Sequence, residues 1–221
     1  WINLTEARVV NDAQGHEDAA SKQIAECRRA LVRMRAGIAC LDTDQAWQSF
    51  RAANQAMDKQ SKYSARGASA RPMVWRPFQL GFLLLSIDSI VNPASPSREE
   101  MDLLWFPTGG GKTEAYLFLA AFTIFHKRLV SPVRREQGGV DVLMRYTLRL
   151  LTVQQYQRAA AVMLACDQIR LSDLNKWGKA PIAAGLLVGG DTTPNSIRDA
   201  LESLAAASPK STPRILQSCP C

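Results

Sequence analysis

The chain has 221 residues, 47% of them hydrophobic and 21% charged, which excludes a disordered segment or a fibre and leaves enough apolar material for a packed core. Lys and Arg number 27 against 20 Asp and Glu, a net charge of +7 that favours an anionic partner such as nucleic acid without specifying one. Five cysteines at irregular spacing are not a disulfide framework and fit a reducing, cytoplasmic setting. The first ten residues lack the basic, apolar, small-residue order of a signal peptide. The apolar runs at 80–91 and 115–125 fall short of the ~20 residues of a membrane span, so no membrane contact is expected. With no initial Met and a final Cys219-Pro220-Cys221, the sequence is expected to be a piece of a longer protein.

In chain order, Ile24, Cys27, Leu31, Met34, Ile38 and Leu41 recur every three or four residues, which predicts a helix with one buried face. Asp42-Thr43-Asp44-Gln45 supplies a cap, and Ala46, Trp47, Phe50, Ala53 and Met57 continue as a second helix, giving a helical hairpin over 17–60. No acidic residue occurs over 59–87, and 61–71 is small, polar and basic. This reads as a solvated tether or as a contact for a phosphate backbone, and Arg28, Arg29, Arg33 and Arg35 pose the same choice.

After residue 100 the pattern alternates. Segments 103–106, 140–146, 182–188 and 214–218 read as strands, and 112–129, 152–170 and 194–207 as helices. Such alternation predicts an α/β fold, a parallel sheet with flanking helices, over 71–221, preceded by an N-terminal helical region with a basic linker over 1–70.

Phe106-Pro107-Thr108-Gly109-Gly110-Gly111-Lys112-Thr113 lies between an apolar segment and a long helical pattern, the context of a phosphate-binding loop. Glycines let several amides face one anion, and the helix N-terminus adds partial positive charge. Lys112 is the candidate to bridge the phosphates of ATP, and the Thr113 hydroxyl is the candidate ligand for Mg²⁺. The strict pattern has Gly five residues before Gly111, where this chain has Phe106; that departure suits loops of the form x-x-T-G-x-G-K-T.

Thr108-Gly109-Gly110-Gly111-Lys112-Thr113-Glu114 resembles the first motif of superfamily two helicases and DNA translocases. With Asp102-Leu103-Leu104-Trp105-Phe106 before it, Trp75-Arg76-Pro77-Phe78-Gln79-Leu80 and the run Met144–Thr152, the chain is similar to the large bacterial helicases of the DISARM phage-defence type. The resemblance implies a first RecA-like ATP-binding domain that is incomplete at its C-terminus. It implies ATP and Mg²⁺ as cofactors, DNA held non-specifically through its backbone, and other defence-system subunits as partners. Residue by residue, it implies that Gln79 reads the adenine edge and that Thr108, Gly109, Gly110, Gly111, Lys112 and Thr113 hold the phosphates. Arg145, Thr147 and Arg149 would touch the nucleic-acid backbone, and Gly189 and Gly190 would let it approach. Cys219 and Cys221 supply two cysteines where a tetrahedral zinc site needs four ligands.

No D-E-x-H or D-E-x-D box follows the loop, so hydrolysis by this chain alone is expected to be negligible. The alternatives are another P-loop ATPase of the ABC or AAA type, or a non-catalytic nucleotide-binding fragment.

Overall fold

A computed structural model describes residues 2–3, 5–6, 8, 13–63, 73–107, 109–146, 149–189, 192–209, 211–216 and 219. Its elements are helices: α1 (Glu17–Cys40), α2 (Asp44–Tyr63), α3 (Pro77–Val91), a 3₁₀ turn (Pro96–Glu99), α4 (Lys112–Val130), α5 (Pro132–Gln137), α6 (Arg149–Ser172), α7 (Leu174–Trp177) and α8 (Ile197–Ala205). The chain forms two compact units, one from 1–51 with 74–126, the other from 52–73 with 127–221. Each draws residues from both sides of the expected boundary at 70 and 71.

In the first unit α1 packs along α3, and three contacts fix the pairing. Met34 lies against Gly81, Gly37 against the Leu84 backbone, and the Cys40 thiol donates to Asp88 at 3.4 Å. Both series ascend, so the helices run in the same direction. A Cβ on Gly37 would stand 1.9 Å from the Leu84 carbonyl oxygen, so only glycine permits this approach. Burial, with the neighbouring Asp88 bond and charge, pushes the Cys40 thiol up to about 11.

Helix α4 is apolar almost all round, as its sequence predicts, and Ala115, Leu117, Phe118, Ala121, Phe122 and Phe125 are fully buried. Phe118 takes the edges of Phe50 and Trp75, each with centroids 5.3 Å apart, and Phe122 stacks between Phe118 and His126. His126 is therefore a core residue, its pKa lowered by burial.

The second unit is centred on α6, where Ala161, Val162, Ala165 and Cys166 are buried. Two buried arginines organise the chain beyond it. Arg128 donates to the carbonyls of Trp177 (2.9 Å), Ala180 (2.7 Å) and Pro181 (3.2 Å). Arg170 pairs with Asp167 at 2.6 Å and reaches the Lys179 carbonyl, while Asp167 also accepts the Ile182 amide at 2.7 Å.

The expected α/β fold is overturned, because the architecture is helical and no strand occurs among the described residues. Segments 103–106, 140–146, 182–188 and the described part of 214–218 are non-helical without a ladder. An apolar run becomes a strand only when another backbone takes its polar groups. Here a helix side chain takes one carbonyl in each of three of these segments. Lys112 binds those of Phe106 and Pro107, Lys127 that of Asp141, and Tyr156 that of Ala184. Leu103, Trp105, Leu143 and Leu187 are correspondingly exposed rather than half-buried in a sheet face.

Candidate phosphate-binding site

Gly109, Gly110 and Gly111 lead directly into α4, whose first residue is Lys112. Thr108 lies outside the described residues. Gly109 and Gly111 have φ of +76° and +91°, the left-handed region that only glycine enters freely, and the Gly110 amide closes a turn on the Pro107 carbonyl at 3.2 Å. The first four amides of any helix have no carbonyl acceptor within it, so the start of α4 gathers N–H groups and positive potential beside this turn. The Lys112 ammonium folds over the turn and donates to the carbonyls of Phe106 and Pro107, at 2.5 and 3.2 Å. Thr113, half-buried, follows in the first turn of α4.

The first turn of α3 grips this loop at three points. Pro77 begins the helix with its fixed φ, and Gln79 Oε1 accepts the Arg76 amide at 2.8 Å, so the chain enters α3 at a set angle. From there the Arg76 guanidinium donates to the Gly110 carbonyl at 3.0 Å. Gln79 Nε2 donates to the Gly111 carbonyl at 2.6 Å. Phe78 stacks on Phe106 with centroids 3.8 Å apart and planes 12° from parallel. Gln79 is thus buried, with both ends of its amide engaged within the chain.

Farther upstream, Asp102 receives both arms of Arg33, at 2.7 and 2.8 Å, and Glu100 joins at 3.1 Å. The hydrogen bond to Asp102 raises the Arg33 pKa and outweighs burial, which lowers it. The segment leading to the loop is thereby tied to α1.

Of the residues expected to meet nucleic acid, Arg145 is exposed, and Arg149 begins α6. The Gly189 carbonyl accepts the amides of Thr192 and Thr193 in a turn. Thr147, Gly190 and the Arg149 side chain lie outside the described residues, as does Cys221. Among the described residues no group of three or more His, Cys, Asp or Glu is placed to hold a metal ion.

Sequence reasoning passed over the role of Arg76, although a long basic residue before Pro at a helix start, ahead of a glycine loop, was a usable signal. It also passed over the Phe78–Phe106 stack, which joins residues 28 positions apart.

No family model matches the chain. The superfamily two helicase assignment is not upheld: the sheet that such an assignment requires is absent from the described residues, and the likeness found is to a protein named without reference to a helicase. Over 220 residues the chain is 36% identical to the DISARM protein DrmA of Bacillus paralicheniformis, an alignment covering 92% of this chain and 19% of that protein, so the chain spans about a fifth of its relative's length.

Proposed function

We propose that 106–113 binds the polyphosphate of ATP with Mg²⁺, and that the chain serves a phage-defence system as part of a larger protein acting on DNA. One observation carries the nucleotide reading. A turn with two left-handed glycines opens onto a 19-residue helix whose first side chain is the Lys112 ammonium, folded over that turn. The donors suit a phosphate chain: backbone amides, a helix N-terminus and an ammonium on a long stem that a phosphate oxygen can draw from neutral carbonyls. Thr113 is the residue that would ligand Mg²⁺, whose other positions phosphate oxygens and water would fill.

The similarity to a DISARM protein supports the defence role. Other defence-system subunits are the partners this reading names, with Arg145, Thr147, Arg149, Gly189 and Gly190 meeting the DNA backbone. Hydrolysis would need acidic residues to hold the metal and orient the attacking water, and no D-E-x-H or D-E-x-D box occurs in this chain.

Calorimetric titration of the 221-residue chain with Mg-ATP tests the proposal. Saturable binding is expected, weakened at least about tenfold by Lys112→Ala, the loss of one charge-assisted contact. Absence of binding, or equal binding by the variant, would overturn it. Turnover by the wild-type chain is expected to stay at background.

A further inference from the structure

We propose that Arg76 and Gln79 are positioning residues for the phosphate loop, and that the loop consequently selects a polyphosphate tail with little regard to the base. The proposal rests on the nucleotide reading above and goes beyond it in naming what sets the loop's orientation.

The argument follows from peptide geometry. In a planar trans peptide the carbonyl of one residue and the amide of the next point in opposite directions. Arg76 holds the Gly110 carbonyl at 3.0 Å and Gln79 holds the Gly111 carbonyl at 2.6 Å. The amides of Gly111 and Lys112 must therefore face away from α3, as two neighbouring donors aimed at one anion. Glycine itself has no side chain to lock its backbone, so these two carbonyl bonds bear directly on the orientation of the planes. The fit is close: a Cβ on Gly111 would stand 2.8 Å from Gln79 Nε2, and one on Gly110 would meet the Phe106 ring at 2.5 Å.

Gln79 reaches this role because its other end caps α3 through the Arg76 amide. Its burial leaves only 4% of its surface exposed, so the amide is committed to backbone on both sides and not to a base.

The whole chain is titrated with Mg-ATP, Mg-GTP and Mg-tripolyphosphate, and each variant is checked for helix content by circular dichroism. Gln79→Met keeps the side-chain volume and removes the amide. Gln79→Glu keeps an acceptor for the Arg76 amide but has no proton for the Gly111 carbonyl. We expect both to weaken all three ligands alike, by about tenfold for a lost donor to a backbone carbonyl. Arg76→Met should do the same, and Arg76→Lys should recover most of the loss by donating again to Gly110. If Gln79→Met or Gln79→Glu weakens ATP alone, Gln79 reads adenine and the proposal fails. It fails equally if no ligand is affected. Absence of binding by the wild-type chain to all three ligands would instead sink the nucleotide reading itself.

Discussion

Three cysteines in the first and second units sit in different surroundings, and their chemistry should separate accordingly. Cys27 is exposed on α1, Cys40 is half-buried beside Asp88, and Cys166 is fully buried in α6. Thiolate is the reacting form, so burial and a neighbouring carboxylate both slow alkylation. Cys40 is held at about 11, and burial drives Cys166 higher still. Both shifts favour the neutral thiol, so at pH 8 each is far below its midpoint and protonated. Timed iodoacetamide labelling read by peptide mass spectrometry should modify Cys27 first, Cys40 slowly, and Cys166 only in denaturant. Labelling of Cys166 as fast as Cys27 would show that α6 is not packed as described. At the same scale Arg76 and Gln79 show how polar side chains can hold a glycine loop they adjoin only in space.

Among the elements, the contact of α1 with α3 makes a sharp case. In an exposed helix Gly→Ala gains up to about 1 kcal/mol through backbone entropy. At Gly37 the added methyl would meet the Leu84 carbonyl oxygen at 1.9 Å, and helix backbones yield poorly. Gly37→Ala is therefore expected to lose about 1–3 kcal/mol, as overpacked positions do, seen as a lower urea midpoint with an unchanged slope. A raised midpoint would mean that the helices stand farther apart. The helices themselves were legible, because periodicity is local: α1, α2, α4 and α6 lie where predicted, although Cys27 and Ile38, expected on the buried face of α1, are exposed. The glycine turn before α4 was legible for the same reason. The strands were misread because short apolar runs such as 103–106 are compatible with any extended path. What decides between strand and coil is who takes the carbonyls, and here Lys112, Lys127 and Tyr156 do so from distant positions in sequence or from the next helix. The grip of Gln79 on Gly111 spans 32 residues and leaves no trace in local pattern.

For the molecule as a whole, the net charge of +7 is consistent with the proposed hold on a nucleic-acid backbone. Among the described residues no helix is long and apolar enough to cross a membrane. Contacts to phosphates release counterions, so duplex affinity should fall by about 0.9 log units per log of salt for each phosphate neutralised. Fluorescence anisotropy on labelled duplexes of unrelated sequence should give equal affinities and that salt dependence, with Arg145→Ala flattening the slope by about one. Sequence-selective, salt-insensitive binding would contradict this. A last consequence concerns light. Trp105 is 88% exposed and lies a few residues ahead of Lys112, whereas Trp177 is buried. An indole so bathed in water emits at long wavelength and is open to collisional quenching by iodide. The segment approaching the loop thus carries the most exposed indole among the described residues, with Trp47 next at 47%, and whatever settles over it should reduce the iodide quenching of the native fluorescence.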